Sequence, residues 1–440
     1  MRTPLLFLFM LLTINCFSQT FWRIENERGE ELLLTIQVNE KDQTFEAYSR
    51  KDALKEMAGT FMYMMAKTAG KVKYPELMHG NGAISCHSDT IHYDGSIFYP
   101  DNTFILKAKT WKNKFYGLLT DKRNRTTILI GDKVPTDRPL KDYSALIKNA
   151  FSLVEDYYWD KNLRKSSDWQ SFKSDVIIRG AKISDDYELA MTMMWMGKKL
   201  NNIPHEIRKI NSKAKEPQKK NSPPFKVIDS KNAILFLNNL SGEKDEIELF
   251  FKEIQKLDPK NLILDARGTR NLSMNTALLL ANHLNAKSTN WGVFLTRKWL
   301  DSESSIPLPT TYEKMLINPL ESVSAGKKEY MERGFYLKTM PSLPVFKGRI
   351  YMLTNKWSSN IAEALAIYLK NEKMATIVGQ KSAGSPVLNY IFEISDQYRI
   401  TIPIALFYDK EGKLYQGTGL EPDIVTDEDA LTVLLKRLKE

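Results

Sequence analysis

Hydrophobic and polar positions fall into three textures along the chain. Residues 21–140 hold short apolar or alternating runs: 31–38 (ELLLTIQV), 44–48, 95–99, 103–107, 115–119 and 126–130. Asn, Asp, Gly and Pro separate them, so this region is expected to be a β-rich domain. Its exception is 53–68 (ALKEMAGTFMYMMAKT), where the spacing is helical and the methionines read as core filling. From 141 to 208 the period lengthens to that of a helix. Leu146, Ala150, Leu153, Val154 and Tyr157 share one face of a helix over 143–158. Trp159 and Trp169 flank a polar loop, and a Met- and Trp-rich helix over 187–200 runs into Asn201, Asn202 and then His205. A lone histidine past a helix end reads, on its own, as a surface or capping residue.

Residues 209–226 are rich in Lys and Pro with little apolar content, and are expected to be an exposed basic linker. Beyond them strands and helices alternate over 227–440, which predicts an α/β layer structure. Strands are expected at 233–237, 261–264, 349–353 and 374–378, and helices at 245–257, 273–284 and 361–369. Residues 285–340 are less regular and read as an excursion from the core, and 398–404 with 405–408 as a hairpin.

Chemistry concentrates at the turn 357–360 (WSSN), between the strand at 349–353 and the helix at 361–369. A serine where a strand stops and a helix starts projects its hydroxyl above the sheet edge, near a helix N-terminus that stabilises negative charge. The same residues also read as a helix start. Asn360 with Glu363 has the spacing of a capping box, and Ser358 or Ser359 would serve equally as a cap. Spacing alone leaves both readings open.

Composition narrows the classes. A chain of 440 residues with 42% hydrophobic, 11% aromatic and 26% charged residues is an ordinary globular protein of two or three domains. Its net charge of +10 gathers partly in the Lys-rich segment and comes with no nucleic-acid-binding motif, so no nucleic-acid partner is expected. Residues 1–20 pair Arg2 with an apolar run over 5–14 too short to span a bilayer. They read as an export signal cleaved near Gln19, leaving no transmembrane anchor and a periplasmic or extracellular protein. Lipidation at Cys16 is the less favoured alternative. Only Cys86 then remains, so no intrachain disulfide forms. His79, Cys86, His87, Asp89 and His92 lie close in sequence but match no zinc spacing, and no metal or other cofactor is expected.

Four motifs in order resemble the tail-specific, or C-terminal-processing, serine peptidases, including their tricorn-core-like branch. They are Asp-x-Arg-Gly at 265–268, Ser-x-x-Ala-Glu at 359–363, ATIVG-x-x-x-x-G at 375–384, and the closing Gly-x-Gly-Leu-x-Pro-Asp-Ile at 417–424. The helical region ending at His205 also resembles the segment before the core in the tricorn-like branch. The resemblance implies a ClpP/crotonase-like α/β core acting on peptide or protein substrates, with Ser359 as nucleophile, His205 as general base and Gly268 or a neighbour as oxyanion donor. It also marks departures. The family's serine position holds Asn360, its lysine position Ser385, and its acid position before the closing motif Gln416. Arg270 and Asn271 stand where its glycines usually follow Asp-x-Arg-Gly. A serine hydroxyl attacks only with a base in reach, and an amide is no nucleophile. Three functions therefore stay open: a serine peptidase, a non-catalytic peptide-binding or scaffold relative in the envelope, or a protein whose N-terminal region carries the activity.

Overall fold

The computed structural model describes residues 17–27, 29–70, 72–99, 102–135, 141–197, 200, 203–210, 224–240, 242, 244–270, 272–303, 305–318, 331 and 333–439. Residues 1–16, including the apolar run and Cys16, lie outside this set, as do Asn271 and 211–223 of the basic linker. The chain forms two compact units. One comprises Met1–Phe151, Ser167–Ala214 and Glu393–Ile400, the other Ser152–Ser166, Lys215–Phe392 and Thr401–Glu440.

The first unit is built on a closed barrel of eight strands, each antiparallel to the next. They are β1 (Phe17–Asn26), β2 (Glu31–Asn39), β3 (Thr44–Tyr48), β4 (His79–His87), β5 (Thr90–Tyr99), β6 (Asn102–Trp111), β7 (Lys114–Thr120) and β8 (Thr126–Val134). β8 returns to pair with β1, with Phe21 opposite Val134, so no edge is left open. Inward residues alternate with outward ones, and Trp22, Ile24, Phe45, Tyr93, Phe115 and Leu129 are buried inside. β1 begins at Phe17, within the stretch read as an export signal. β4 (HGNGAISCH) is polar and glycine-rich, so it carries no alternation to read. Its glycine matters for closure: a Cβ on Gly82 would lie 2.2 Å from the Asp94 carbonyl oxygen of β5.

Helices α1 (Ala53–Ala58) and α2 (Thr60–Thr68) replace the single helix expected at 53–68, because Gly59 between them takes φ 78°. Helix α3 (Ser144–Tyr157) is as expected, but α4 (Ser167–Gly180) occupies part of the supposed polar loop. Trp169 belongs to that helix and is fully buried, with its ring 5.1 Å from that of Phe151. Helix α5 (Asp186–Met196) ends before the expected limit of 200. β9 (Ile207–Lys209) pairs antiparallel with 398–400.

Two adjacent carboxylates pin the start of α5. Asp185 caps it by accepting from the Glu188 N–H at 2.8 Å and also accepts from the Leu33 N–H at 2.9 Å. Burial pushes its carboxyl up to about 7, against hydrogen bonds that pull it down and with Glu188 and Asp186 adding to the rise. The folded chain thus holds a proton near neutrality that the unfolded chain releases near 3.8. Stability from this group is full at low pH and is lost as pH rises through that interval. Asp185→Asn keeps one oxygen for the cap and removes the ionisation, but turns its NH2 group toward the Leu33 N–H. Its urea midpoint should lie below wild type near pH 4, and the difference should move in the variant's favour by roughly 1–3 kcal/mol between pH 4 and pH 8. A difference unchanged over that interval would contradict the buried-acid assignment.

In the second unit, one sheet has the order β10 (Phe225–Val227), β11 (Asn232–Phe236), β12 (Asn261–Asp265), β16 (Arg349–Thr354), β17 (Ala375–Gly379), β20 (Ile424–Val425). β11 through β20 run parallel, whereas β10 is antiparallel to β11. The apolar runs read as strands are those expected of a sheet covered on both faces. Helices α6 (Lys244–Leu257), α7 (Met274–Leu284), α8 (Arg297–Ser302), α9 (Ile361–Asn371) and α10 (Ala430–Arg437) complete the unit.

A second sheet has the order β14 (Leu316–Ile317), β15 (Phe335–Lys338), β13 (Asn290–Thr296), β19 (Tyr398–Asp409), β18 (Val387–Glu393). Three strands of this sheet, β13, β14 and β15, thus come from the stretch 285–340 expected to be an excursion from the core. The expected hairpin is instead one twelve-residue strand, β19, paired through Thr296 to Ala405 with β13. The strand passes through Pro403 and through the expected break at 404/405 without interruption. Among the described residues, no helix is long and apolar enough to cross a membrane.

Candidate active site

The turn between β16 and α9 is held from below by Ser358. Its hydroxyl is buried, donates to the Ala266 carbonyl at 2.8 Å and accepts from the Asn355 N–H at 3.0 Å. The Asn355 side-chain oxygen accepts from the Trp357 N–H and from the Gly268 N–H, both at 3.0 Å. Gly268 itself takes φ 71°. Its amide, the expected oxyanion donor, is thus engaged within the fold, and an oxyanion would have to displace Asn355 to use it.

The Asp-x-Arg-Gly motif forms a local clamp. Asp265 accepts from the Arg267 guanidinium at 2.9 and 2.7 Å and from its backbone N–H at 3.1 Å. Hydrogen bonding from Asp265, stronger than the opposing burial, raises the Arg267 pKa, and Asp429 adds to it. Both partners fix the loop rather than offer a free charge to a substrate.

Asn360 stands at the apex of the turn. It takes φ 56° and ψ −132°, a conformation that costs a non-glycine residue of order 1–3 kcal/mol. Strain of this kind persists only where the surroundings over-determine it. The Asn360 N–H donates to the Ser385 carbonyl at 2.9 Å, and its side-chain amide donates to the Arg270 carbonyl at 2.7 Å. The Arg270 guanidinium lies 4.6 Å from the Trp357 ring centre. Ser359 precedes the apex, half-buried, with its N–H donated to the Thr269 carbonyl at 3.1 Å. The one-residue shift that would carry Ser359 to the apex is not made.

No capping box forms at this helix start, contrary to that reading of the spacing. The Asn360 side chain makes no cap bond. Glu363 does not reach back but points across to the glycine loop. Its carboxylate accepts from the Gly384 N–H and the Ser385 N–H, each at 2.8 Å, and from the Ser382 hydroxyl. Burial raises the Glu363 pKa, and those three hydrogen bonds oppose the rise. The closing motif is tied to the same loop, since the Gly417 N–H donates to the Gly384 carbonyl at 2.7 Å and the Leu420 N–H to the Ser382 hydroxyl at 2.7 Å. Gln416, at the family's acid position, has its side-chain oxygen buried without a hydrogen-bond partner. Lys381 pairs with Glu421 at 2.6 Å.

One unit therefore brings together Ser359, Asn360, Gly268, Ser385 and Gln416, while His205 belongs to the other. The His205 ring rests on Gly197, where a Cβ would lie 2.4 Å away, and 5.7 Å from the Phe172 ring. Its Nδ1 is 2.7 Å from the Ile203 carbonyl. A carbonyl only accepts, so Nδ1 carries the proton and Nε2 of the neutral ring is an acceptor. Among the described residues no group of three or more His, Cys, Asp or Glu side chains is arranged to hold a metal ion.

Comparison with known proteins bears on the second unit. Residues 231–426 match the family model Peptidase family S41, and all four motifs lie inside that span. A carboxy-terminal-processing protease of Bartonella bacilliformis is 32% identical over 79 residues, covering 18% of this chain and 18% of that protein. The match thus spans less than a fifth of that relative. A lipoprotein from Streptococcus agalactiae aligns at TM-score 0.46 and 16% identity, over 70% of this chain and 99% of its own. The photosystem II D1 C-terminal processing protease aligns at TM-score 0.41 and 12% identity, over 66% and 94%.

Proposed function

We propose that the S41 unit binds peptide or protein segments at the turn over 357–360 without hydrolysing them there, as a non-catalytic member of its family in the cell envelope. One observation carries this reading: the strained apex, where a nucleophile would stand, holds Asn360 with its amide donated to Arg270. A carboxamide cannot take the place of an activated hydroxyl. Engagement of the Gly268 amide by Asn355 supports it further. The export signal read over 1–20 belongs to the same proposal.

A second reading, hydrolysis by Ser359 with His205 as base, is favoured by one feature. The His205 tautomer leaves Nε2 ready to accept a proton. A fluorophosphonate probe separates the two. Under the first reading wild type stays unlabelled, and β-casein, a disordered probe protein, binds and remains intact. Asn360→Ser should then gain labelling, with casein turnover at least ~100-fold above wild type if a base and oxyanion donors remain in reach. Labelling of wild type that disappears in both Ser359→Ala and His205→Ala would establish the second reading instead.

A further inference from the structure

An eight-stranded barrel is just wide enough inside to be filled by side chains or to hold one small molecule. The interior of this one is uneven. Around its middle, rings fill it: Trp22 and Phe115 have centroids 6.0 Å apart, Phe45 and Tyr93 5.2 Å. Near the end of β7 and the start of β8 the inward residues are smaller, Ile24, Leu119 and Leu129, and a cavity of about 720 Å³ opens beside them. That is the size of a small-molecule site.

Helix α5 supplies the wall that the strands do not. Tyr187, Met191 and Met194 line the cavity from that helix, and Tyr187 packs against the barrel core. Methionines there adapt to the shape of a guest. Charged groups, Glu27, Glu30, Asp121 and Arg125, also border the cavity, and Arg125 pairs with Asp121 at 2.7 Å. They lie in or beside the turns that close this end of the barrel, whereas the strands contribute the apolar Ile24, Leu119 and Leu129 together with the uncharged Asn26, Asn102 and Thr127. A charge carried to that depth would be desolvated without a partner. The Tyr187 hydroxyl is different: it is buried, its polar neighbour is the Tyr99 phenol, whose ring lies edge-on at 5.5 Å, and because each phenol can both donate and accept, the pair leaves hydrogen-bonding capacity unused. A guest with its own hydrogen-bonding group would satisfy it.

We infer that this end of the barrel binds one small, largely apolar molecule whose buried part is uncharged and carries a hydrogen-bonding group to Tyr187. The site is independent of the S41 unit. N-phenyl-1-naphthylamine, neutral and with one N–H, is the probe, and 1-phenylnaphthalene is its counterpart lacking that group. The full chain should bind the amine saturably at one per chain, with roughly fivefold preference over the hydrocarbon. Met194→Trp, at a position 40% exposed and so tolerant of bulk, should weaken binding at least tenfold, and Leu119→Trp should do the same from inside the barrel. Tyr187→Phe should bring the preference close to one while leaving hydrocarbon binding in place. Absence of saturable binding would overturn the proposal. So would binding untouched by Met194→Trp in a folded chain, or a preference that survives Tyr187→Phe.

Discussion

Glu363→Ala is expected to destabilise the second unit by about 3–5 kcal/mol and to open the 380–385 loop to protease. Glu363 is 0% exposed in a helix whose neighbouring residues are otherwise apolar, and its carboxylate answers three donors. Alanine would leave the Gly384 and Ser385 amides and the Ser382 hydroxyl without their acceptor, and a cavity where the side chain was. The consequences reach the apex, because the Ser385 carbonyl is what accepts from Asn360, and the Ala383 N–H donates to the Ser358 carbonyl at 3.0 Å. Glu363→Gln keeps the volume but turns an NH2 group toward a backbone donor, so a smaller loss of about 1–3 kcal/mol is expected. Because the folded pKa of Glu363 is raised, wild type loses part of its advantage as pH climbs above 4.5, and the deficit of the Gln variant should narrow with it. Urea unfolding at two pH values and limited proteolysis measure all three effects. A change below about 1 kcal/mol for Glu363→Ala would show that the loop is held by other contacts.

The role of Glu363 also shows what the sequence makes legible. Strand-helix alternation over 227–440 is visible because buried parallel strands and amphipathic helices impose strong patterns, as at 261–264 and 245–257. The four motifs are legible as chemistry, since glycine, Asp-Arg pairs and serine turns have local reasons to recur. A glutamate amid apolar helix residues (IAEALAIYL) is likewise a signal, because a buried charge must find a partner. Its partner cannot be read, being about twenty residues away across a loop. The spacing to Asn360 suggested a local cap, and a longer-range clamp won. For the same reason the apex was ambiguous by one residue. Only the register of β16, with Ser358 tied to Ala266, decides that Asn360 and not Ser359 takes the strained conformation. In the barrel, β4 shows no alternation, because glycines that let strands approach also erase the pattern that marks a strand.

Asp186 offers the opposite case to its neighbour Asp185, and Asp186→Asn is expected to destabilise the N-terminal unit by about 3–5 kcal/mol. Burial alone would push its carboxyl up, as it does for Asp185. Here Lys209 at 2.8 Å, the Tyr398 and Tyr143 hydroxyls at 2.6 and 2.7 Å, and the Glu31 N–H at 3.0 Å outweigh burial and hold it below the usual range. Its contribution is therefore present above an ordinary carboxyl pKa of 3.8 and lost as pH falls below it, opposite in sign to that of Asp185. An asparagine has one acceptor for four donors and no charge for the Lys209 ammonium, whose side chain is only 17% exposed. Removing that ammonium as well should restore part of the loss. In a double-mutant cycle with Lys209→Met, the two substitutions together should cost about 1–3 kcal/mol less than the sum of the single ones. Strict additivity would mean that the pair does not interact in the folded chain. The damage from Asp186→Asn would then have to come from the tyrosine hydroxyls and the Glu31 amide alone.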